Sequence, residues 1–340
     1  LIGLADVLAD QNRFSEAEPL YRRALEIRQN QLGMEHPIVA ETNGALAETV
    51  FALGKKDETL SLLRQSAMIH EKQLQGTPSE VRVESLLRSL RQSGEEDRIY
   101  SLALAKDSSV AARQLALTTA LLRKGRSAEA GMQFQALLRK NLGDASTRTR
   151  YESWRSARQL RETLLLGGPG KIPPEQYRTR LGELQVTIDS LESQLLDEIP
   201  ESRKQQLPAF EGIVSTVAQR LPSSGVLVEV VAMTPALRTA DQPVKPLPDS
   251  RYMALILYPD QRTVVVDLGP TDSLNETAAK LWMLLRTPQR DPKSAAQALY
   301  KRLMVPLLPH LQGVTDLYLS LDHALNLIPF DALHDGHDYL

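Results

Sequence analysis

The stretch "FSEAEPLYRRALEIRQNQLGMEHPIVA" at residues 14–40 decides how the first part of the chain folds. Small and apolar residues return in it three and four positions apart, the mark of a helix with one buried face. Moved along by 42 residues, the sequence matches itself. Leu4 falls on Leu46, Ala5 on Ala47, Glu16 on Glu58, Leu20 on Leu62, Arg22 on Arg64, Ile27 on Ile69 and Leu32 on Leu74. Turns at "DQNRF" (10–14) and "ALGKK" (52–56) each join two helices, and weaker hairpins are expected at 86–104 and 115–138. One such hairpin cannot bury its apolar face alone, so neighbours stack into a helical array over residues 1–142.

Within that stretch, E-A-E-P-L-Y-x-R-A-L-x-I followed by L-G-x-x-H-P resembles a tetratricopeptide repeat of the kinesin-light-chain type. The second copy keeps the skeleton but has Thr59 where the first has Ala17, and it lacks the His-Pro pair. The resemblance implies an α-solenoid that recognises a protein partner. A brace for the following domain is the plainer alternative.

Residues 143–206 are helical without the repeat. Tyr177, Leu181, Leu184, Ile188, Leu191 and Leu195 form a stripe with steps of 4, 3, 4, 3 and 4. They are expected to pack on the preceding helix through Trp154, Leu160 and Leu164, as a hairpin between neighbours in sequence. Pro173 and Pro174 are placed to start the second helix. "GGPGK" (167–171) lacks the spacing of a phosphate loop, and the segment before it reads as helix rather than strand. Residues 123–161 hold ten Lys or Arg against three Asp or Glu, a local balance of +7. Such a face can engage the phosphates of nucleic acid. With few interleaved aromatics, Tyr151 and Trp154 among them, a solvated face is the preferred reading.

Beyond residue 207 the period changes. "GVLVEVVAM" (225–233), "RYMALILY" (251–258), "RTVVVDLG" (262–269) and "DLYLSL" (316–321) read as strands, with a hairpin turn at Pro259-Asp260-Gln261. Residues 272–286 and 294–304 read as helices, the first capped by Asp272 or Ser273. Strands and helices in this order predict an α/β domain whose helices cover a sheet.

This part resembles the opening of a CHAT domain, a caspase-like module, through "YMALILYPDQRTVVVDLGP" and "ALYKRLMVPLLPHLQGVTDLYLSLDHALNLIPFDALHDGHDYL". The family's strand, Asp-x-x-Leu turn and Pro-Phe block correspond here to Leu321, Asp322, Leu325, Ile328, Pro329, Phe330 and Leu333. The resemblance implies a bacterial, cytoplasmic cysteine peptidase family. Its catalytic His and Cys lie downstream of the Pro-Phe block, beyond Leu340. The fold class expected is therefore mainly α: a tetratricopeptide solenoid (1–142), a helical hairpin (143–206) and the first half of a caspase-like α/β domain (207–340). The chain starts at Leu1 inside a helical pattern and reads as a fragment, inactive by itself. The alternative is a non-catalytic interaction scaffold with a degenerate caspase-like domain.

No catalytic, cofactor-binding or metal-binding residue is assigned. The chain contains no cysteine, which excludes disulfides and any thiolate within it and fits a reducing compartment. Its net charge of −2 makes no global case for nucleic acid or an anionic membrane. The longest apolar runs, such as "YMALILY", are far shorter than a membrane span. "HEKQL" (70–74) has Leu where a zinc-peptidase helix needs its second His. Ser320, Asp322 and His323 stand too close along one strand and turn to act as a triad. His334-Asp335-Gly336-His337-Asp338 is turn chemistry before it is a metal loop. Asn275-Glu276-Thr277 is a glycosylation sequon placed in a predicted helix.

Overall fold

A computed structural model describes residues 1–75, 80–124, 145–167, 172–197, 209–240, 249–287 and 290–340. These fall into two compact units: Leu1–Glu71, Leu90–Leu122 and Ala209–Leu340 in one, Lys72–Ser89 and Arg123–Pro208 in the other.

The first unit opens with the repeat hairpins. Helices α1 (Ile2–Asp10) and α2 (Phe14–Leu32) form one; α3 (Pro37–Ala52) and α4 (Lys56–Gln75) form the next. Their turns fall where the 42-residue repeat places them. The His-Pro pair has a local task. His36 is the N-cap of α3 and its Nδ1 accepts from Ile38 N, while Pro37 occupies the first helical position, where no N–H is needed. The helix α5 (Glu80–Gln92), most of which belongs to the second unit, comes next in sequence, and α6 (Glu95–Leu104) and α7 (Val110–Arg123) return to the first. Residues 125–144, which include most of the fourth expected hairpin and half of the basic segment, lie outside the described residues.

In the second unit, α8 (Ala145–Gly167) and α9 (Pro174–Asp197) pack as a hairpin around Trp154, Ile188 and Leu195. Tyr177 Oη donates to Leu164 O at 3.0 Å. Leu160, expected in this seam, is 42% exposed. At about 100° per residue it lies roughly 120° around α8 from Trp154, whereas Tyr151 and Ala157 flank Trp154 within about 60°. Trp154 is 3% exposed and Arg158 lies over its ring at 4.9 Å. Tyr151 and Trp154 of the basic segment therefore serve the hairpin core. The "GGPGK" residues 168–171 lie outside the described residues, and the segment before them is helix.

After the short α10 (Ile213–Ala218), the strands β1 (Gly225–Met233), β2 (Arg251–Leu257), β3 (Thr263–Pro270) and β4 (Asp316–Ser320) form one sheet in the order β3-β2-β1-β4. β1 runs antiparallel to β2 and parallel to β4. The helices α11 (Thr271–Leu285) and α12 (Lys293–Leu303) lie between β3 and β4 in sequence. α11 starts from Pro270 without a side-chain cap, so the expected cap at Asp272 or Ser273 does not form. Thr271 instead bonds Ser250 O through both its N (2.8 Å) and its Oγ1 (3.1 Å), which anchors the helix start to the beginning of β2.

The two-residue period of the strands sorts the core. Val226, Val228, Val230, Tyr252, Ala254 and Ile256 face α11 and α12. Val231, Met233, Met253, Leu255 and Leu257 join a core with Ile99, Leu102, Ala103, Leu115 and Ala116 of α6 and α7. The sheet is thus covered on one face by its own helices and on the other by α6 and α7. That is why β1 and β2 read as continuous apolar runs rather than alternating ones.

Candidate functional site

Two places in the first unit gather convergent polar groups. The first is a cleft of about 590 Å³ between α4 and α7. Asp57, Leu60, Ser61 and Arg64 supply one wall, and Ala111, Gln114, Leu115 and Thr118 the other, each set spaced along one helix face. Phe210 to Gly212, Val214 and Ser215 line it as well, and Gln261 at the β2–β3 turn reaches it. Leu60, Leu115, Val214 and Phe210 give it an apolar base; the rim is mostly uncharged and hydrogen-bonding. This volume and lining suit a small ligand or a few residues of a peptide. Arg64 meets Glu211 at 2.7 Å at the rim, where both are exposed and the pair contributes little to stability.

The second place is the carboxyl end of the parallel pair β1 and β4, where open α/β sheets commonly place their sites. Ser320 Oγ donates to Glu229 Oε1 at 2.8 Å. Past Ser320 the chain turns. Asp322 Oδ1 accepts from His323 N at 3.0 Å, and Oδ2 accepts from Ala232 N, also at 3.0 Å. His323 takes a left-handed φ of 47°, and its ring stands edge-on to Tyr252 with centroids 6.5 Å apart. Tyr252 Oη donates to Asn275 Oδ1 at 2.8 Å. Burial pushes that phenol up to about 12, with the Asp322 charge adding to the effect.

Helix α6 meets this end of the sheet. Asp97 Oδ1 of α6 accepts from Thr234 N at 2.8 Å, and Ser101 Oγ accepts from Ala236 N at 2.9 Å. α6 is held from behind by the repeats. Glu95 Oε2 lies 2.5 Å from His70 Nδ1 and accepts from Ser66 Oγ at 2.5 Å, all three being buried. Arg98 bonds Glu48 of α3.

Residues 1–72 match a family model described as tetratricopeptide repeat, and residues 293–340 match one described as CHAT domain. The chain thus combines a segment similar to tetratricopeptide repeats with a segment similar to a CHAT domain. No curated protein matches it. The CHAT match starts at α12. β1, β2 and β3 precede it but share its sheet, because β1 pairs with β4 over Gly225–Glu229.

Ser320 is turned to Glu229, and Asp322 accepts from the amides of Ala232 and His323 and lies 3.1 Å from His323 Nδ1, so Asp322 and His323 meet while Ser320 does not join them. Asp335 Oδ1 accepts from His337 N (2.6 Å) and Asp338 N (2.8 Å), closing a turn in which His334 and Tyr339 form a bridge. No group of three or more potential metal ligands occurs among the described residues. His70 of "HEKQL" belongs to the buried contact with Glu95. Asn275 of the sequon lies in α11 and takes the Tyr252 hydroxyl. No helix among the described residues is long and apolar enough to cross a membrane. Reading the sequence alone missed Glu95 and Asp97. The "GEED" run at the start of α6 was the available signal: acidic residues suit a helix N-terminus, but that pattern does not say which distant groups they meet.

Burial raises Asp97 above the ordinary aspartate range, against the pull of the Thr234 amide and of Arg98. The sign follows. A raised folded-state pKa means the folded chain binds its proton more readily than the unfolded one, so this contribution to stability grows as pH falls from the raised value towards the ordinary one. Asp97→Asn keeps the acceptor and removes the desolvated charge. It is expected to be more stable than the parent at neutral pH, by a margin that shrinks on acidification through that window. Melting temperatures of both proteins across mildly acidic to neutral pH check this; a constant or widening margin contradicts it.

Proposed function

We propose that this chain is the partner-sensing part of a caspase-like cysteine peptidase of the bacterial cytoplasm. The repeats over 1–142 recognise a protein segment, the hairpin over 143–206 links, and the part from 207 belongs to the caspase-like domain. One observation carries the reading: repeat helices α6 and α7 share a buried core with one face of the sheet. A partner that shifts those helices acts on the sheet directly. The 340 residues include no cysteine, so they supply no thiolate nucleophile, and the chain as given is expected to cleave no peptide bond. The localisation rests on the bacterial setting that the resemblance implies, and a chain without cysteine has no need of an oxidising compartment.

A displayed library of random peptides, selected on the chain, tests the sensing role. Enriched peptides are expected to lose binding to Ser61→Arg and Gln114→Arg, which fill the cleft, while circular dichroism stays unchanged. If no peptide is enriched, or binding survives both substitutions, the repeats are a brace and the sensing reading fails. Cleavage of a protein substrate by the chain itself would overturn the inactivity.

A further inference from the structure

β4 accompanies β1 only as far as Glu229, opposite Ser320. Residues 230–233 of β1, and the residues after them, run on past that neighbour. The bare edge of a strand presents an N–H at every second residue, and such a row invites another strand. Here the row is filled by side chains. The amide of Ala232 goes to Asp322, that of Thr234 to Asp97 and that of Ala236 to Ser101. Pro235 stands between the last two and has no N–H for the opposite edge, consistent with the β1–β2 ladder ending at Met233 and Arg251. Asp97 and Ser101 are four residues apart and so lie on one face of α6.

We propose that α6 is a latch: it takes the place of a neighbouring strand along the end of β1, and its withdrawal bares that edge next to the Asp322 turn. The latch is anchored to the repeats. Glu95, two residues before Asp97, is gripped by His70 and Ser66 of α4, and Arg98, one residue after, is tied to Glu48 of α3. Any displacement of the second hairpin therefore acts on the two residues that hold Thr234 and Ala236. The Asp322 bond to Ala232 lies outside this linkage. The same strand end is thus held from two sides, by the repeats at 234 and 236 and by the turn after β4 at 232. The inference rests on the sensing role of the repeats only for what moves α6; the latch itself needs no partner.

Residue-level hydrogen exchange tests it. In Asp97→Ala/Ser101→Ala, exchange at Thr234 and Ala236 is expected to rise about ten-fold or more, with Ala232 and the β2 amides unchanged. Asp97→Asn keeps an acceptor and is expected to keep Thr234 protected, which separates loss of the bond from loss of fold. Arg98→Ala, which loosens α6 from α3 without touching the sheet, is expected to speed exchange at 234 and 236 and to spare 232. Unchanged exchange in the double variant would overturn the latch. An equal rise across β1 and β2 would also overturn it, because α6 would then be general support. Unchanged exchange in Arg98→Ala would break the link to the repeats. These readouts use the unbound chain, so they stand or fall separately from the peptide selection.

Discussion

His70→Ala is expected to lower the free energy of unfolding by about 2–4 kcal/mol, since it leaves a buried carboxyl group short of one hydrogen-bond partner (about 1–3 kcal/mol) and opens a cavity beside it. His70 and Glu95 are 5% and 2% exposed, and their 2.5 Å contact joins α4 to α6 across 25 residues of sequence. Without the imidazole, a carboxyl group is left in the core beside a cavity. The pairing of the two matters more than either alone. Replacing both with leucine, which fills the volume and removes both polar groups, is expected to restore stability to within about 1 kcal/mol of the parent. Urea denaturation followed by far-ultraviolet circular dichroism measures both. A loss under about 1 kcal/mol in His70→Ala would show that apolar packing, not this contact, holds α6.

Leu255→Ala and Ile256→Ala should cost alike and act differently. Both side chains are fully buried on the central strand β2 and face opposite ways. Each truncation is expected to cost about 2–5 kcal/mol. Leu255 lies in the core that includes α6 and α7, so its loss should raise hydrogen exchange in those repeat helices as well as in β2. Ile256 faces α11 and α12, so its loss should loosen those helices first. If Leu255→Ala leaves α6 and α7 as protected as in the parent, the repeats and the sheet do not form one cooperative layer, and the sensing mechanism loses its physical basis.

Local chemistry carried much of this fold into view before any coordinates. The apolar run at 225–233 became β1 at the same bounds, because a short run with four valines between turn signals favours a buried strand over a helix. The hairpin turn at Pro259-Asp260-Gln261 formed as read, with Gln261 at φ 67° and Asp260 accepting from Arg262 N. The 42-residue repeat located the turns of the first two hairpins. The heptad stripe paired α9 with α8 but could not show that Leu160 would turn outward, since that depends on the angle around a helix the stripe does not include. The missing cap of α11 has a similar origin: tertiary bonds from Thr271 to Ser250 replaced the local one.

The sequence by itself determined the helical repeats, the strands, the turn chemistry around Asp322 and the lack of any thiol among these residues. All of these depend on side-chain type and on spacing within about one turn or one strand. Only the tertiary structure decided what covers the second face of the sheet and what fills the edge of β1 beyond β4. Thr234 and Asp97 are 137 residues apart, and Ala232 and Asp322 are 90 apart. An apolar run shows that both faces of a strand are buried, but not against what. That choice belongs to packing between distant segments, where shape and the need to satisfy each buried amide select one arrangement.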